Sequence, residues 1–287
     1  MKTPPDIKAA VMQKEFFMKS CNLINRYSFL TGLFLLLLFS PAAASAVEKE
    51  NDPQGWGREY TNFLTSAVNH DFSEVFIYEP AKYKPTVLGF IGTDMQRFYI
   101  HFNSINRNPD NPYQYLVKGK TRVKNNICSF EGKITIVKAG LLTKNPEDDE
   151  FPDYQEGFVL AEMELLEEKS QPGSGVLKGM MQSDFLIDQK GQLAYNDLMA
   201  AGDGFYNNQF TGDWTSYKTG KAKICNFGDD RIPSGNLPKG TEYDLDQGAG
   251  SFIPSAKYLG RGWQTHFDCI VAQDEKACRE ENKQWWK

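Results

Sequence analysis

Between Pro85 and Tyr217 the apolar residues keep a rhythm of two, and that rhythm limits the possible folds more than anything else in the chain. Phe98, Ile100 and Phe102 alternate with Arg97, Tyr99 and His101, and Val159, Ala161, Met163 and Leu165 repeat the pattern later. Successive side chains of a strand point to opposite faces, so each run reads as a strand with one face buried. Turn-forming clusters separate the runs: Asn103 to Pro112, Asn125-Asn126, Gln171 to Gly175, and Asp188 to Gln192. Such residues supply the dihedrals and local hydrogen bonds that turns need. About eight short strands with little helix between them predict a mainly β fold, an antiparallel meander closing into a barrel, because closure removes exposed edges. A two-sheet β-sandwich fits the same periodicity and is the alternative.

The flanks read differently. Trp56, Tyr60, Phe63, Leu64, Ala67 and Val68 fall at helical spacing and predict an amphipathic helix over 57–70, inside an N-terminal segment 47–84. Beyond the barrel domain (85–217), closely spaced Gly and Pro predict an irregular extension, 218–287, packed on the barrel, with a helix from Gln273 to Trp285.

Residues 1–46 have the order of an export signal. Lys14, Lys19 and Arg26 precede an apolar run from Phe29 to Phe39, and Ala44 and Ala46 take the cleavage position. Met1 and Met18 are both possible starts. The run is too short for the roughly 20 apolar residues of a spanning helix. The expected location is therefore periplasmic or extracellular, with no transmembrane span in the mature chain. The whole chain carries a formal charge of −5, and cleavage removes more cations than anions. An acidic mature protein lacks the clustered cations that nucleic acid demands, so no nucleic-acid partner is expected.

Four cysteines follow the signal: Cys128, Cys225, Cys269 and Cys278. In an exported chain an even number implies disulfides, and no Cys-x-x-Cys pair points to zinc. Cys128–Cys225 with Cys269–Cys278 is the pairing with the least loop-closure cost. It conflicts with a continuous tail helix, which would part Cys269 and Cys278 by about 13.5 Å, beyond the ~7 Å reach of a disulfide.

Phe210-Thr211-Gly212-Asp213-Trp214 resembles the Gly-x-Trp strand of lipocalin-like (calycin) barrels, in which the tryptophan plugs one barrel end. In that family the motif opens the barrel, whereas here it follows most of the strands. Val123 to Cys128 and Ile224 to Pro233 are similar to strings in uncharacterised secreted bacterial proteins. That resemblance implies export and no particular activity.

For chemistry, His101 lies on the polar face of its strand and is the residue on which a catalytic alternative rests, as acid or base with a nearby carboxylate. Lys118, Lys120, Arg122 and Lys124 project at spacing two from one strand and form a candidate anion-binding face, unless Gly119 breaks the strand or Glu162 and Glu164 oppose the cations across the sheet. Glu147 to Glu150 and Asp244-x-Asp246-x-Gly248-x-Gly250 lack a complete calcium ligand set, so no metal is expected, and no motif implies a cofactor. The function these features suggest is an exported, non-enzymatic barrel that binds a small apolar or amphipathic ligand or an envelope component, using Trp214 and the basic strand. The alternative is a secreted hydrolase or lyase acting on glycans.

Overall fold

The structure, a computed structural model, describes residues 47–48, 59–77, 85–144, 150–202, 204–233, 236–237, 245–246 and 253–287. All of them lie in the compact unit Ser45–Lys287. The proposed signal, the acidic loop at 147–149 and most of 244–250 lie outside the described residues.

The chain enters through β1 (Val47–Glu48) and β2 (Tyr60–Asn62), then two single-turn helices, α1 (Leu64–Ala67) and α2 (Ser73–Phe76). The main sheet comes next: β3 (Val87–Ile91), β4 (Gln96–Arg107), β5 (Gln114–Val123), β6 (Asn126–Leu142), β7 (Tyr154–Glu167), β8 (Gly175–Asp188), β9 (Leu193–Tyr195), β10 (Asn207–Ser216) and β11 (Ala222–Asp229). Neighbours pair in the order β6-β5-β4-β3-β11-β10-β8-β7, and β6 also pairs β7, so eight antiparallel strands close a ring. β9 continues the sheet as a hairpin on β8. The protein is therefore mostly β.

The alternation read from the sequence sets which side chains enter the ring. Phe98 and Ile100, Tyr115 and Val117, Phe130 and Ile134, Met163 and Leu165, and Leu177 and Met181 are buried in one cluster with Phe210 and Phe227. Gly119 does not break β5. A Cβ there would meet the His101 carbonyl oxygen at 2.2 Å and the Phe130 ring at 2.5 Å, so glycine is what lets Phe130 lie across the strand.

Three expectations change. The helix over 57–70 is replaced by strand β2, which sets Tyr60 against Leu142, and the single turn α1. The ring runs one strand past Tyr217, because β11 pairs both β10 and β3 and joins its first strand to its last. Cys128 and Cys225 are free and buried. They sit on β6 and β11, which are directly opposite in the ring order. Eight strands about 4.8 Å apart enclose a ring about 12 Å across at the least, which a disulfide cannot bridge.

The remaining chain forms a small ladder, β12 (Leu245–Asp246) with β13 (Ile253–Pro254), a 3₁₀ turn Ala256–Arg261, and helices α3 (Gln264–Ile270) and α4 (Glu275–Glu281). The tail helix is broken at Gln273 (φ 53°), and the Asp274 carboxylate caps α4 by accepting from the Ala277 N–H. That break brings the Cα atoms of Cys269 and Cys278 to 4.6 Å, and their disulfide forms. Trp263 and Tyr258 bury themselves against Leu88, Phe90 and Met95 in a second apolar cluster. The extension is thus fastened over β3 and the start of β4.

Candidate functional site

The two ends of the ring are built differently. At the end carrying the 108–113 loop, Phe63 and Phe72, which immediately precede α1 and α2, join Val75 and Phe76 of α2 in the ring cluster. Phe72 stands edge-on to Phe185 (5.3 Å) and Phe76 edge-on to Tyr115 (5.2 Å). The Tyr115 hydroxyl accepts from the Phe72 N–H at 3.0 Å. Arg107 reaches the Val68 carbonyl oxygen at the end of α1. This end is filled.

The other end, carrying the 92–95, 124–125, 168–174 and 217–221 connections, holds a cavity of about 490 Å³. Ile91, Phe98, Val123 and Trp214 give it apolar walls, and Asp94, Lys124 and Lys223 are among its charged lining. Glu167, only 5% exposed, is part of the same lining. Its Oε1 accepts from the Thr121 hydroxyl. Its Oε2 accepts from the Gly175 N–H at 2.7 Å and from the Trp214 indole N–H at 2.9 Å. The Gly-x-Trp sequence therefore fixes an indole beside a buried carboxylate at the unplugged end. Gly212 is needed because a Cβ would strike the Lys178 carbonyl oxygen at 2.2 Å. Burial, and then the Glu167 charge, pushes the thiols of Cys128 and Cys225 up, so both stay protonated. Among the described residues, no group of three His, Cys, Asp or Glu is placed to hold a metal ion.

Reading the sequence alone misses Glu167, although the signal is there. It continues the inward phase of Val159, Ala161, Met163 and Leu165 by one more step of two. Thr121 likewise extends Tyr115, Val117 and Gly119.

Lys118, Lys120 and Arg122 do project from one side of β5, but they are taken up by different partners. Lys118 is exposed and pairs with Glu131 at 2.7 Å, while Glu164 pairs with Lys133 and Lys178; Glu162 and Glu164 do not oppose the β5 cations because β6 lies between. Lys120 Nζ donates to the Trp286 carbonyl oxygen at 2.6 Å. The Arg122 guanidinium lies 3.9 Å from the centre of the Tyr99 ring and 5.1 Å from that of Trp285. Lys124 occupies the turn (φ 54°) and lines the cavity instead.

The same clasp takes up His101, whose ring stacks on Trp286 at 3.9 Å and 16°. Arg97, 1% exposed, lies against Trp263 (4.2 Å) and Tyr99 (4.6 Å) and donates to Glu281 Oε1 at 2.8 Å. Burial pushes the Glu281 carboxyl up, but His266, Arg97 and Arg122 together hold it below its ordinary range. The tail thus covers the outer face that the sequence presents as a ligand surface.

A second buried carboxylate lies at the filled end. Asp229 Oδ2 accepts from the Tyr195 hydroxyl and from Asn208 Nδ2, both at 2.9 Å, and Asn208 in turn accepts from Ser183 and donates to the Val75 carbonyl oxygen. Burial pushes the Asp229 carboxyl up to about 7 against the pull of those hydrogen bonds. Asp229 and His101 both border a cavity of about 80 Å³.

The chain matches no protein-family model, and no curated protein and no solved structure is significantly similar to it.

Proposed function

We propose that this is an exported, non-enzymatic β-barrel protein that holds a small amphipathic molecule in the unplugged end of its ring. The observation that carries this reading is the contrast between the ends: aromatic side chains fill one, while the other keeps a cavity of about 490 Å³ between apolar walls and a few polar groups. Ligand sites have that composition and a volume of about 300–1,000 Å³. Trp214 belongs to the site, whereas Lys118, Lys120 and Arg122 serve the outer surface and the tail.

Export is supported by the leader sequence and by the Cys269–Cys278 disulfide, which needs an oxidising compartment to persist. The outward ladder Lys133–Glu164–Lys178 favours aqueous surroundings for β6 to β8, since lipid-facing strands present apolar side chains. No helix among the described residues is long and apolar enough to cross a membrane.

One observation favours the hydrolase or lyase alternative: His101 shares the small cavity with Asp229, whose carboxyl sits at about 7, near the value useful to a general acid. The second carboxylate of the usual glycosidase pair does not line it, and His101 is stacked under Trp286.

Native mass spectrometry of the protein recovered from its exporting host tests the binding reading. A co-purifying small molecule, released on mild denaturation and lost from a Val123→Trp variant that fills the cavity, is the expected result. A bare mass for the wild type, together with turnover of a glycan that Asp229→Asn abolishes, would replace it with the enzyme.

A further inference from the structure

We infer that the ligand of this cavity carries an organic cation, an alkylammonium group on an apolar body, with Glu167 as its counter-charge and the Trp214 ring beside it; this rests on the binding reading above. Glu167 is 5% exposed, yet its hydrogen bonds come from a hydroxyl, a backbone N–H and an indole N–H, all neutral. Among the described residues no lysine, arginine or histidine pairs with it, although Arg97, also buried, has Glu281 as a partner. A carboxylate removed from water is normally paired, because dipoles alone recover only part of its lost hydration. Glu167 borders the cavity, so the missing positive charge can come from a bound molecule. Trp214 lines the same space, and indole is the aromatic face that attracts ammonium groups most strongly.

The apolar part of such a molecule has Ile91, Phe98 and Val123 to lie against. The cavity's two lysines do not oppose the arrangement at close range. Lys124 and Lys223 are both exposed, and Lys223 Nζ stands 6.0 Å from the centre of the Trp214 ring. Their field is screened by solvent and salt.

The test is isothermal titration of the mature protein with octyltrimethylammonium, octyl sulfate and octyl glucoside, each below its micelle-forming concentration. Three probes sharing one apolar chain isolate the effect of charge. The ammonium probe should bind at least about tenfold more tightly than the other two, and Glu167→Gln should erase that preference, as expected when one member of a buried charge pair is removed. Lys223→Glu changes only an exposed side chain and should tighten ammonium binding by about two- to fivefold at low salt. Equal binding of all three probes, a preference for the sulfate, or no response to Lys223→Glu overturns the cationic ligand and leaves the binding reading intact. Binding of none of the three overturns both.

Discussion

The two ends of the ring each bury a carboxylate in the inward phase of a strand, and they do opposite things with it. Asp229 is enclosed with Tyr195, Asn208 and Ser183, beneath α2. Glu167 borders a cavity about six times larger than the one Asp229 borders, about 490 Å³ against about 80 Å³. At the filled end, Phe63, Phe72 and the side chains of α2 pack into the ring, and burial pushes the acid up to about 7. At the unplugged end no element of the described chain inserts, and Glu167 is left beside space. One architecture thus gives a filled end and an end with a cavity, and the two helical turns between β2 and β3, rather than the strands, make the difference.

Phe72→Ala should sharpen this division most. Removing a fully buried aromatic from the plug costs about 3–5 kcal/mol, read as a lower midpoint in thermal or denaturant unfolding, with affinity for any ligand in the Trp214 cavity kept in the folded fraction. Loss of affinity at unchanged stability would break the comparison.

Asp229→Asn comes next, with an effect that depends on pH. The Asp229 carboxyl titrates at about 7 in the fold against the ordinary 3.8. As pH rises from about 4, the unfolded chain gives up this proton first, so the fold loses stability until pH reaches about 7, after which the loss is constant. At about 1.4 kcal/mol per pH unit the full penalty is about 4 kcal/mol. The asparagine variant should lack that slope and gain stability at pH 8, where the wild type is penalised, and gain little at pH 4. Parallel stability–pH curves for the two proteins would contradict the placement of Asp229.

Trp214→Phe should have the smallest effect on stability and the most specific effect on function. It leaves a ring but deletes the N–H that Glu167 accepts, a cost of about 1–3 kcal/mol. Ligand binding should weaken while the Asp229-dependent pH slope stays as it was. A change in that slope would show that the ends are coupled.

Much of this fold is legible in the sequence, because alternation is a local property and the turn residues between runs are conspicuous. Phe98 to Phe102 and Val159 to Leu165 read directly as strands with one apolar face. Whatever depends on closure escapes. Cys128 and Cys225 look like partners until the ring order sets β6 opposite β11. The β5 cations look like a ligand face until Trp285 and Trp286 arrive from the far end of the chain. The helical spacing around Tyr60 and Phe63 misleads because a three-residue strand and a single turn share those positions. Glu167 escapes for another reason: an inward phase suggests apolar residues, and here a polar residue ends such a run at the edge of the cavity.

The most direct measurement is a crystal structure of the protein purified from its native host without refolding. The predicted result is an ordered small molecule in the cavity, touching Trp214 and Phe98, with a positively charged group within about 4 Å of the Glu167 carboxylate, as an ion pair requires. A cavity holding only water, or closed by side chains of the 168–174 loop, would contradict it.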